Sequence, residues 1–105
     1  MDYQLVLQFP SGSEEEVGRL VALEDDFIEV LEDSADVEGH EPDGEVMNFC
    51  IATGDPEDTF ERLRPLLNDK GLIATVVVAF RHVDEDDYSM LGPEDETGRK
   101  FKTPV

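Results

Sequence analysis

Basic residues are scarce in this chain. Eight Lys and Arg stand against 27 Asp and Glu, a formal net charge of −19 at pH 7. Such a field repels a nucleic acid or an anionic membrane surface and attracts a basic protein. A second cysteine is missing as well. Cys50 stands alone, which excludes a disulfide within the chain. It lies in an apolar run, where a lone cysteine is usually a small buried hydrophobe. No helix start or basic cluster adjoins it in sequence to lower its pKa. No stretch reaches the ~18 apolar residues that a membrane-spanning helix needs. The opening Met1-Asp2-Tyr3-Gln4 lacks the basic start and apolar run of a signal peptide. These absences lead us to expect a cytoplasmic protein.

The motifs of catalysis and cofactor binding are missing too. There is no Walker loop, no Gly-x-Gly-x-x-Gly and no Gly-x-Ser-x-Gly elbow. The aromatics are not interleaved with Lys and Arg, as an RNA-reading sheet requires. Asp84-Glu85-Asp86-Asp87 fails the calcium-loop pattern: Tyr88 stands where the third oxygen ligand belongs, and no glycine follows at the right spacing. No enzyme activity, cofactor or metal is therefore expected. Were this a small enzyme after all, its chemistry would fall near Asn48, Cys50, Arg81 or His82.

What is present reads as a sequence of regular elements. Tyr3 to Phe9 alternates, with Tyr3, Leu5, Leu7 and Phe9 on one face of a strand. Ser13-Glu14-Glu15-Glu16 matches a capping box. The helix after it carries Val17, Leu20, Val21, Phe27, Ile28 and Leu31 as its expected inward stripe, interrupted by Glu24. Ala35–Glu41 and Glu45–Thr53 flank Pro42-Asp43-Gly44, a hairpin signal, with Asp43-Gly44 as the turn and His40 opposite Met47. That register separates His40 from Cys50. Asp55, Pro56, Glu57 and Asp58 start a second helix, Pro65 should kink it or shorten its regular part, and Lys70-Gly71 should stop it. Leu72–Val83 is the strongest strand signal, rich in β-branched residues. The last stretch, Glu94–Val105, is expected to add a short fifth strand, to form a hairpin of Tyr88–Leu91 against Lys100–Thr103, or to be a loose tail.

The order β-α-β-β-α-β is that of the split β-α-β, or ferredoxin-like, arrangement. It is an α+β fold with an antiparallel sheet and two helices on one face. Residues 1–91 form the single expected domain, and 92–105 a C-terminal extension that is an extra strand, a hairpin or a loose tail. In that topology the strand order is 4-1-3-2. The polar second strand is then an edge, and the two histidines, His40 and His82, lie too far apart to share a metal. A fold of this kind hosts many functions and does not choose among them.

The charge asymmetry is more selective. Residues 1–60 hold 18 acids and one base, Arg19, while Glu24–Glu45 holds 11 acids and no base. An anionic helix-and-hairpin surface for a basic protein partner is the expectation, in the manner of inhibitors and immunity proteins. The candidate contact residues are Glu24, Asp25, Asp26, Glu29, Glu32, Asp33, Asp36, Glu38, Glu41 and Asp43. Acidity for solubility alone is the competing explanation. A second expectation is a small ligand-binding or regulatory domain that dimerises through its sheet, because Val46–Ala52 is apolar on both faces.

Overall fold

The alternating first strand becomes the centre of the sheet. In the computed structural model, which describes residues 2–10, 14–32, 34–43, 46–72, 75–85 and 87–92, the elements follow in the order β1 (Tyr3–Pro10), α1 (Glu14–Leu31), β2 (Ala35–Asp43), β3 (Val46–Thr53), α2 (Pro56–Asp69), β4 (Val77–His82) and β5 (Ser89–Gly92). The sheet order is β2-β3-β1-β4-β5, with every neighbouring pair antiparallel. The chain thus has the ferredoxin-like βαββαβ arrangement, widened by a fifth strand on the β4 side. No helix among the described residues is long and apolar enough to cross a membrane.

Leu5, Leu7 and Phe9 of β1 meet Met47, Phe49 and Ile51 of β3 and Val78 of β4 under the two helices. Leu20, Leu23, Phe27 and Leu31 come down from α1, and Phe60, Leu63 and Leu67 from α2. Phe49 sits at the centre, edge-to-face with Phe9 at 5.6 Å and with Phe27 at 5.1 Å between ring centroids. The centre of the opposite sheet face is also withdrawn from water, while Gln4, Cys50 and Ala52 around it are half-buried. Val6 and Ala79 are 0% exposed, and Gln8 and Asn48 are buried, although they lie outside the cluster beneath the helices.

Local signals set the helix ends. The Asp55 side chain accepts the Asp58 backbone N–H at 3.1 Å, and Pro56 opens α2. At the other end, Gly71 has φ +69. The Leu72 N–H donates to the Leu67 carbonyl at 2.8 Å and the Gly71 N–H to Asn68 at 3.1 Å, which is the Schellman pattern. A Cβ at Gly71 would meet nothing within 4 Å, so its value is conformational. Gly71→Ala is expected to cost about 1 kcal/mol through the left-handed backbone alone. A thermal melt would read this as a drop of ~4–8 °C.

Three expectations are corrected, and the one at Pro65 loses one of its two alternatives. The inward stripe of α1 includes Leu23 and excludes Val21 and Ile28, which are exposed. At 3.6 residues per turn, Leu20, Leu23, Phe27 and Leu31 fill the seat against the sheet, and Val21 and Ile28 fall on its shoulder. Pro65 does not end α2, which runs on to Asp69; the residue is exposed, where water can serve the carbonyl that its missing N–H leaves. The last central strand begins at Val77, five residues later than its composition suggests. The Thr75 and Val76 N–H groups both donate to the Leu72 carbonyl at 3.0 Å, a turn that withholds them from the sheet. The hairpin register also differs: Asp43 pairs with Val46, and His40 lies opposite Phe49. Ser89–Gly92 pairs with β4 as the fifth strand; Ser13 and Lys100–Thr103 lie outside the described residues.

Candidate partner-binding surface

The acids of residues 24–45 do not form one surface. Asp25, Glu29 and Glu32 lie exposed on the outer side of α1. Val21 and Ile28 run beside them, 38% and 48% exposed. The two apolar side chains are seven residues apart, or about 10.5 Å along the helix. Among the described residues no base stands against Asp25, Glu29 or Glu32. Glu32 closes the helix with φ 47, its N–H still donating to the Ile28 carbonyl at 2.9 Å. A side chain in that left-handed region costs about 1–2 kcal/mol relative to the right-handed one.

Glu24 behaves differently. It interrupts the apolar stripe because it reaches the interface edge, where its Oε2 pairs with Nδ1 of His40 on β2. The His40 ring in turn lies 6.0 Å from Phe49. Asp26 turns to the other flank of α1 and stands 3.9 Å from Lys70 Nζ. Exposed pairs of this type contribute less than ~1 kcal/mol.

Asp36 and Glu41 of β2 lie on the sheet face away from α1. Asp36 lies opposite Ala52 and Glu41 opposite Asn48, both on the face that carries Gln4, Val6 and Gln8. Glu38 is the extra residue of a β-bulge between Val37 and Gly39, with Gly39 at φ +140. The bulge bends an edge strand that already carries exposed acids, two devices that discourage edge-to-edge pairing. Asp33 lies outside the described residues, and of Asp43 only the backbone pairing is described. Of the ten candidates, then, Asp25, Glu29 and Glu32 share a surface with Glu24 at its border. Asp36, Glu38 and Glu41 belong to another.

Cys50 lies opposite Gly39 on the face away from α1, so it and His40 point to opposite sides of the sheet. Burial pushes its thiol pKa up; the nearby Glu38 and Glu41 carboxylates push it further, and Arg81 offsets part of this. A raised pKa leaves less thiolate near neutral pH, and thiolate is the nucleophile. Alkylation of the folded chain by iodoacetamide at pH 8 is therefore expected to run several-fold slower than that of the urea-unfolded chain. The gap should narrow as the pH rises through the folded-state pKa. Equal rates at pH 8 would contradict the assignment.

The other polar groups of that face hold structure. Arg81 Nε donates to Gln4 Oε1 at 3.2 Å, and its Nη1 donates to the carbonyls of Val83 at 3.2 Å and Glu85 at 2.9 Å. Gln8 Nε2 donates to Asn48 Oδ1 at 2.9 Å, while the buried Asn48 Nδ2 finds no hydrogen-bond partner among the described residues. His82 pairs with Tyr3 and so lies on the helix side of the sheet, away from Cys50; its Nδ1 accepts the Asp84 N–H at 3.2 Å, and its ring packs edge-on against Tyr3. Among the described residues no three His, Cys, Asp or Glu side chains converge in a metal-sized group. His40 and His82 lie on β2 and β4, with two strands between them.

No protein-family model, curated protein or solved structure matches this chain.

Sequence periodicity misses Val21 and Ile28 as surface residues and Leu23 as an inward one, because taking Val17, Leu20, Val21, Phe27, Ile28 and Leu31 as one stripe merges two. The signal was available. Leu20, Leu23, Phe27 and Leu31 alone satisfy the i, i+3, i+7, i+11 spacing of a seated helix face, which leaves Val21 and Ile28 surplus.

Proposed function

We propose that this chain is a non-enzymatic acidic binding protein that docks the outer face of α1 on a basic protein, as an inhibitor or immunity protein does. The observation that carries this is the exposed apolar pair Val21 and Ile28 beside Asp25, Glu29 and Glu32, with no described base among them. Acidity for solubility alone asks for carboxylates and does not ask for two large apolar side chains beside them. In the encounter the carboxylates steer a basic surface, which raises the association rate and fades with salt. Val21 and Ile28 then supply buried apolar contact, which sets how long the complex lasts. A second copy of this chain would bring the same negative charge to that face and be repelled. One free thiol and no disulfide suit a reducing compartment, so we place the encounter in the cytoplasm.

The test is affinity capture on the immobilised full chain at about 50 mM and about 500 mM salt, a range over which the screening length falls well below ~15 Å. A basic protein retained at low salt and released at high salt is the expected result. Recovery of no salt-sensitive basic protein from the cell that makes this chain would overturn the proposal.

A further inference from the structure

The run of acids in the first sixty residues is broken once, at Arg19. The fold brings that base to a second one. Arg19, on α1, and Lys70, at the C-terminal cap of α2, both line a cavity of about 570 Å³ between α1 and the turn that leads into β4. Phe9, Leu20, Leu23 and Leu72 give it an apolar lining. The volume lies within the ~300–1,000 Å³ of small-ligand sites, and an apolar lining with a few polar groups is their usual composition. Gly71 keeps its part of the wall without a side chain, with open space where a Cβ would stand.

The two cations are loosely held. Arg19 Nη2 stands 3.8 Å from Glu15 Oε2 and Lys70 Nζ 3.9 Å from Asp26 Oδ2, both beyond hydrogen-bond length. Their side chains are 78% and 51% exposed. Exposed pairs of this kind contribute little, so turning either cation to a new anion costs little. A guanidinium also matches a carboxylate through two parallel N–H donors.

We propose that this cavity binds a small carboxylic acid with an apolar chain, its tail against Phe9, Leu20, Leu23 and Leu72 and its carboxylate between Arg19 and Lys70. The net charge of the chain does not forbid this. Asp26 also lines the cavity, 3.9 Å from Lys70, so the lining holds two cations against one carboxylate, and at ~0.15 M ionic strength charges more than ~8 Å away are largely screened. This site is separate from the proposed protein-docking face and takes a ligand of the opposite sign.

The experiment is calorimetric titration of the full chain with decanoate at about 150 mM salt, with decyltrimethylammonium as the cationic counterpart. Decanoate is expected to bind and the cation not to bind. The double variant Arg19→Glu, Lys70→Glu is expected to lose at least about tenfold in decanoate affinity, as the loss of charge-assisted hydrogen bonds implies. Ala22 is an exposed lining residue, and Ala22→Trp should fill the cavity from its rim and abolish binding with the thermal midpoint unchanged. Three results overturn the proposal: no decanoate binding, equal binding of the cation, or wild-type affinity in the double charge variant. The last does not depend on how well Ala22→Trp folds.

Discussion

Replacing Asp25, Glu29 and Glu32 together by lysine is expected to abolish capture of a basic partner at low salt. The change swings the outer face of α1 by six charges. Steering by an oppositely charged surface raises association rates by about 10–10³-fold, and the triple variant should lose most of that factor. At about 500 mM salt the two chains should differ far less, because the Debye length is then only a few ångströms. The fold should not suffer. All three residues are exposed, cations near a helix C-terminus are favourable, and the change relieves self-repulsion. Asp36→Lys with Glu41→Lys is the matched control. It swings four charges on the sheet face away from α1 and should leave capture within about threefold, since charges outside the contact act only through the screened field. Equal loss in both variants would mean that net charge alone governs binding. Val21→Ser with Ile28→Ser should act differently again, shortening the complex lifetime at every salt concentration.

The largest effect on stability is expected at Phe49. Its side chain is 0% exposed and packs edge-to-face against Phe9 and Phe27, so β1, β3 and α1 all meet on one ring. Phe49→Ala removes that ring and leaves a cavity that the sheet cannot close, at a cost of about 3–5 kcal/mol. Domains of this size are stable by only about 5–15 kcal/mol. With a urea m-value of about 1–1.5 kcal/mol/M, the midpoint should fall by roughly 2–5 M, or the chain should not fold. Ile28→Ala on the same helix should shift the midpoint by no more than about 0.5 M, because surface changes rarely exceed ~0.5 kcal/mol. A loss under ~1 kcal/mol at Phe49 would mean that the three elements do not converge there.

The parts of the fold that were legible in the sequence rest on local chemistry. Asp55 before Pro56 and Lys70 before Gly71 state where α2 begins and ends, because capping is decided within a few residues. The alternation around Leu5 and Leu7 and the polarity of β2 place a centre and an edge. Tertiary geometry decided the rest. The seat of α1 depends on which of its two apolar stripes meets Phe49, and that choice needs the sheet. Ile73 to Val76 resembles strand in composition, yet the Leu72 carbonyl takes the Thr75 and Val76 N–H groups first. Acidic residues that are neighbours in sequence separated because α1 and β2 present their outer sides in different directions. The pairing of Arg19 with Lys70 on one cavity spans fifty-one positions of chain, which no spacing rule reaches.

One inserted residue in β2 bears on how much of this protein a cell can hold. Val37 pairs with Ile51 and Gly39 with Cys50, so Glu38 is surplus to an otherwise regular ladder. Deleting it would keep every other pairing and straighten the strand. An unbroken edge is the template from which sheets grow between molecules, and its danger rises with concentration. The single extra glutamate is therefore expected to act as a stop against polymerisation, and the deletion chain should form aggregates at concentrations where the natural chain remains dispersed.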